Sequence, residues 1–143
     1  MLDRERILGK IDVLDAYLSE LAQIIPVSFK DYLKVEKKRS CERLLQLSIE
    51  CVMDICKLFV VGLRLGLPAE ENDILDKMRK KGIISSRMHT TLKKMRGLRN
   101  ILVHEYTAVD DEFIFKTAKT KLGDFRAFKK EILKTLNKIK ARS

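Results

Sequence analysis

The chain has no tryptophan, two prolines, two histidines and three cysteines among 143 residues. So few prolines leave long stretches free to continue as helix, and no segment alternates apolar and polar residues over strand length, which argues against a sheet-built domain. Cys41, Cys51 and Cys56 form no Cys-x-x-Cys pair, and their odd number leaves one unpaired in any disulfide scheme; all three read as reduced core residues. His89 and His104 lie too far apart to suggest a metal-ligand cluster, so neither a metal nor a cofactor is expected. The longest apolar stretch, near Leu58 to Val61, is far too short to cross a bilayer. The opening Met1-Leu2-Asp3-Arg4-Glu5-Arg6 lacks the apolar core of a signal peptide, so a cytoplasmic chain with no membrane association is expected.

What the chain has in excess is positive charge. Thirty Lys and Arg against twenty Asp and Glu give a formal net charge of +10, which attracts polyanions over long range and makes nucleic acid the favoured partner. A charged content of 35% is also what life at high temperature selects, so charge alone gives nucleic acid only a modest edge. With 45% hydrophobic residues, the length suits one domain over residues 1–143, with one core.

Apolar residues at Ile7, Ile11, Leu14, Leu18, Leu21 and Ile25 step by four and three, lining one face of a first helix that Pro26 stops. Ser28, with Asp31 three residues on, predicts a capped short helix carrying Tyr32 and Leu33. From about Ser40 to Leu65 only Gly62 interrupts a long central helix, which Gly66 ends before a turn at Leu67-Pro68. Apolar positions at Leu47, Cys51, Leu58 and Val61 widen its greasy arc beyond what one neighbour covers, which predicts packing on several sides or a subunit contact. Asn72 is placed to cap a shorter helix containing Ile74, Leu75 and Met78, terminated by Gly82. Ser85 or Ser86 opens the next, with Met88, Leu92, Met95, Leu98 and Leu102 as its stripe, and Asp110-Asp111 begins a last one running from Phe115 to Ile139. The expected fold is all-α: a four-to-five-helix bundle with short loops.

Within the fifth of these segments, Arg99-Asn100-Ile101-Leu102-Val103-His104-Glu105-Tyr106 sets phosphate-competent side chains into an apolar run. An imidazole exchanges a proton near neutral pH and a guanidinium holds two phosphate oxygens. RNA supplies its own nucleophile, so a base near the 2′-hydroxyl and a cation on the phosphate suffice to form a cyclic phosphate and a free 5′-hydroxyl. On an ideal helix Asn100 and His104 share one stripe and Arg99 and Tyr106 another, with Arg99 and His104 about 140° apart. They converge only across a cleft wall, at a kinked helix end or through the reach of the Arg side chain. Spacing alone leaves an ordinary capped or solvated Arg and His pair as the better explanation.

Arg99-Asn100-x-x-x-His104-x-Tyr106 resembles the Arg-x4-His-x-Tyr signature of the HepT toxins in the HEPN superfamily, without departure. The likeness extends through Glu42-Arg43-Leu44-Leu45-Gln46 and Asp54-Ile55, and from Lys81-Gly82-Ile83-Ile84 to Met95-Arg96-Gly97-Leu98-Arg99-Asn100. The resemblance implies a HEPN-like fold and a metal-independent endoribonuclease, the toxin of a pair whose antitoxin is MntA, a minimal nucleotidyltransferase. It also implies a two-fold homodimer whose cleft unites two copies of the motif. Carried over, Arg99 and His104 are catalytic, Asn100 supports them, and Tyr106 is the residue that the antitoxin adenylylates. The alternative is a non-catalytic HEPN helical subunit that assists nucleotide or substrate binding by a nucleotidyltransferase partner. Intact Arg99, Asn100 and His104 favour the enzyme.

Lys93, Lys94 and Arg96 are candidate RNA-binding residues, although basic clusters of this kind, like Lys77, Arg79, Lys80 and Lys81, are ordinarily solvated faces. His89 reads as a solvated surface histidine. Asp54 and Glu42, polar residues on an apolar helix, either line the cleft or pair with neighbouring Arg and Lys.

Overall fold

A computed structural model describes residues 1–67, 70–104 and 109–142. The described residues form seven helices and no strand: α1 (Arg4–Ile24), α2 (Phe29–Tyr32), α3 (Val35–Gly62), α4 (Glu71–Lys80), α5 (Ser86–His104), α6 (Asp111–Thr120) and α7 (Leu122–Arg142). The all-α class is as expected; the count of four to five is not. One added helix is the short α2, whose cap Ser28 accepts the Asp31 amide at 3.2 Å as its sequence predicts. The other comes from the last helix, which breaks at Lys121 into α6 and α7. A one-residue break keeps the three-and-four spacing of Phe115, Ala118, Leu122 and Phe125, so periodicity cannot show it. Near the break, Thr120 Oγ1 turns back to donate to the Lys116 carbonyl at 2.7 Å, a local bond that competes with continuing the helix.

Helix α3 is the axis of the molecule. It packs against α1, α2, α4, α5 and α6, and its buried residues lie on most of its circumference, from Cys41 and Leu45 through Ile49, Val52 and Ile55 to Phe59 and Val60. The wide apolar arc is therefore used largely inside the chain, leaving Val61 and, at the start of the helix, Val35 exposed. Cys41, Cys51 and Cys56 are free and buried here, and burial pushes the Cys51 thiol up to about 11 and that of Cys56 to about 12, so none is a ready nucleophile.

Both ends of α3 differ from expectation. It begins at Val35, before Ser40, and ends at Gly62 rather than at Gly66. The stop is a Schellman turn: Leu65 N–H donates to the Val60 carbonyl at 3.0 Å and Arg64 N–H to that of Val61 at 3.3 Å, with Arg64 at φ 54° where glycine is usual. Gly62 answers a different need. A Cβ there would lie 2.8 Å from the Leu2 backbone, so glycine lets the amino-terminal segment cross the end of α3. At α4, Glu70 rather than Asn72 is the capping residue, and Glu71 and Asp73 place negative charge in the first turn. Gly82, at φ +79°, closes α4 by the same turn that Arg64 makes for α3. No helix among the described residues is long and apolar enough to cross a membrane.

Candidate functional site

Ser85 starts α5: its Oγ accepts the Met88 amide at 3.1 Å, while Glu131 of α7 accepts the Ser85 N–H at 2.7 Å and its hydroxyl at 3.1 Å. With that end pinned and Met88, Leu92, Met95 and Leu98 buried, the rotation of the helix is fixed. Arg99 then stands at the margin of the buried stripe, facing α3, and Asn100 and His104 turn about 100° and 140° away from it.

Arg99 meets Glu50. A single carboxylate oxygen of Glu50 accepts from Arg99 Nε at 2.9 Å and lies 2.8 Å from Nη2, while Nη1 donates to Asn100 Oδ1 at 3.3 Å. Gln46, one turn back on α3, donates to that same Glu50 oxygen at 3.2 Å. A guanidinium carries five N–H donors in a fixed fork. Three are engaged, which leaves one N–H on each terminal nitrogen, a pair suited to two oxygens of one phosphate. Arg99 and Glu50 are both about a quarter to a third exposed, at 26% and 30% of their side chains, so the held guanidinium remains open to solvent on one side.

The structure brings Arg99 and Asn100 together and does not join either to His104. His104 is exposed at the end of α5, and no hydrogen bond or ion pair involves it among the described residues. Tyr106 lies outside the described residues. Lys93 and Lys94 are exposed, whereas Arg96 turns inward, its Nε buried, 3.5 Å from a Glu71 oxygen and without a hydrogen bond. A pocket of about 240 Å³ beside Arg99 is lined by Glu50, Met53, Asp54, Glu71 and Arg96. Asp54 borders it and pairs with Lys10 at 3.2 Å. Glu42 instead takes Arg39 at 2.7 Å and borders a separate groove.

His89 corrects its expectation. Its side chain is 12% exposed and donates from Nε2 to Asp76 at 2.7 Å, tying α5 to α4. That hydrogen bond, helped by the charges of Lys93 and Arg79, holds the Asp76 carboxyl below the usual carboxylate range.

Glu50 and Gln46 escape a reading centred on the Arg-x4-His segment. Their signal lies on α3: Arg39, Arg43, Gln46, Glu50 and Asp54 step by four, three, four and four, a polar stripe no wider than about 80° on a helix otherwise buried on several sides. Glu50→Ala removes the acceptor that aims Arg99. It is expected to lower kcat on RNA by about tenfold, the loss of one charge-assisted hydrogen bond, with Glu50→Gln retaining more activity. Unchanged kcat in both variants would show that Arg99 needs no aiming.

Residues 14–132 match the family described as Ribonuclease HepT-like. The chain belongs to that family. It is, accordingly, an endoribonuclease of the HepT-like type. Among its relatives, a tRNA nuclease HepT of Aphanizomenon flos-aquae is 27% identical over 124 residues, which cover 86% of this chain and 84% of that one. A putative RNase of Archaeoglobus fulgidus is 33% identical over 116 residues, 81% of this chain and 82% of its own. Among solved structures, the tri-AMPylated HEPN toxin of Shewanella oneidensis in complex with MNT antitoxin superposes with a TM-score of 0.82 at 25% identity, covering 88% of this chain and 95% of that one. Arg99, Asn100 and His104 all lie within the matched residues.

Proposed function

We propose that this HepT-like ribonuclease is the toxin of a toxin–antitoxin pair, cutting RNA by internal transesterification without a metal ion and silenced by an MntA-type nucleotidyltransferase that adenylylates Tyr106. The observation that carries the catalytic part is the guanidinium of Arg99, fixed by Glu50 and Asn100 with one donor left over on each terminal nitrogen. Those donors take two oxygens of the scissile phosphate. His104 accepts the proton of the 2′-hydroxyl, the 2′-oxygen attacks phosphorus, and the bond to the 5′-oxygen breaks. The 5′-oxygen leaves with a proton delivered by a second acid, so the products are a 2′,3′-cyclic phosphate and a 5′-hydroxyl. Arg99 stabilises the charge that grows on the phosphoryl oxygens in between. A non-catalytic subunit has no use for a guanidinium held in this way.

The distance in phase between Arg99 and His104 supports a second proposal, that the working cleft lies between two copies related by a two-fold axis. There the motif of one copy faces that of the other, and a second His104 serves as the acid. The resemblance to a toxin seen in complex with its MNT antitoxin supports the choice of partner.

Purified protein is expected to cleave RNA in excess chelator and to show a dimer mass by light scattering. Activity that vanishes with chelator and returns with divalent metal would refute the metal-free step; a monomer at micromolar concentration would refute the shared cleft.

A further inference from the structure

Two recesses flank Arg99 along the polar stripe of α3, and they differ in the balance of carboxylates and arginines. Toward α4, the pocket beside Arg99 carries Glu50, Asp54 and Glu71 against Arg96 and Arg99 itself. Toward the start of α3, a groove of about 360 Å³ is lined by Arg39, Glu42, Arg43, Gln46 and, from α5, Leu102. Arg39 is engaged by Glu42 at 2.7 Å, but Arg43 is exposed and makes no hydrogen bond or ion pair among the described residues. Arg43 stands seven residues before Glu50, two helical turns and about 10 Å along α3, on the same stripe as the residue that holds Arg99.

We infer that the Arg39–Arg43 groove is a second phosphate subsite, which takes the RNA backbone phosphate next to the one held by Arg99. This rests on the reading of the chain as a ribonuclease. On the other side each arginine already faces a carboxylate and Asp54 adds a further one, whereas Arg43 has its charge to offer, so the strand leaves Arg99 toward Arg43 and not toward Asp54. Gln46, between the two arginines, is committed to Glu50 and keeps Arg99 in place while Arg43 takes the next charge. Lys93 and Lys94, exposed on α5, do not line this groove. Arg43 thus extends the phosphate track from α5 onto α3, outside the Arg-x4-His segment.

The test is binding of a short 2′-O-methyl oligoribonucleotide, which has no free 2′-hydroxyl and stays intact, across a salt series. Arg43→Ala should weaken binding by about tenfold. It should also reduce the slope of log K against log salt by about 0.7, the value for one single-strand phosphate contact. Lys57→Ala, an exposed charge at the far end of the same stripe beyond the carboxylates, should change neither. An unchanged slope in Arg43→Ala, or an equal loss in Lys57→Ala, overturns the subsite. A second arm compares substrates. A dinucleoside monophosphate has only the scissile phosphate, so Arg43→Ala should raise KM on an oligonucleotide and leave cleavage of the dinucleotide alone. Equal losses on both would place Arg43 at the scissile phosphate and contradict the proposal. A wild-type protein that cuts neither substrate defeats the ribonuclease reading, and the salt slope still decides the subsite.

Discussion

His104→Ala should reduce RNA cleavage by about 100- to 10,000-fold, the usual contribution of a positioned general base. The imidazole is exposed at the end of α5 and no hydrogen bond or ion pair involves it among the described residues, so its removal leaves no buried group unpaired. The variant should therefore melt with the parent, and the loss belongs to chemistry. Because Arg99 and its partners Glu50 and Asn100 stay in place, the phosphate site survives and RNA binding should change little. Initial rates on an end-labelled RNA measure the effect. A variant that cuts at the parent's rate would remove His104 from the site.

Adenylylation of Tyr106 should silence the enzyme to the level of His104→Ala. Tyr106 itself lies outside the described residues, so the expectation rests on spacing: seven residues place it on the stripe of Arg99, about 10 Å further along an ideal helix. An attached AMP brings a phosphate within reach of the donors that Arg99 keeps open, and its adenosine occupies the path of the substrate strand. The tri-AMPylated state of the Shewanella oneidensis toxin shows that a protein of this fold accepts such groups. Incubation with the cognate nucleotidyltransferase and ATP should add AMP to the peptide containing Tyr106, as read by mass spectrometry, while Tyr106→Phe stays active and unlabelled. A Tyr106→Phe protein that the partner still labels and silences would move the modification elsewhere.

How far the sequence could be read differs from element to element, for physical reasons. The buried stripes of α1 and α5 were legible because each helix packs one face inward, and residues such as Ile7, Leu14, Leu92 and Leu98 fall where three-and-four spacing puts them. The end of α3 was not, because Arg64 adopts the left-handed turn normally left to glycine, and the visible Gly66 lies beyond it. The break at Lys121 was hidden because it costs one residue and no phase. In the site, the Arg99 and Asn100 contact follows from adjacency, but the clamp from Glu50 is a contact between residues 49 positions apart, set by how α3 and α5 pack. His89 misled for the same reason: it stands among Ser85, Ser86, Arg87, Thr90 and Thr91, and its partner Asp76 comes from another helix.

The most direct test is the chemistry of the cut ends. RNA digested by the purified protein in excess chelator should yield fragments ending in 2′,3′-cyclic phosphate and beginning with 5′-hydroxyl, the products required when the 2′-oxygen attacks a phosphate held by Arg99. Fragments with 3′-hydroxyl and 5′-phosphate ends would mean that water, not the ribose, is the nucleophile, and would contradict the roles of Arg99 as phosphate clamp and His104 as base.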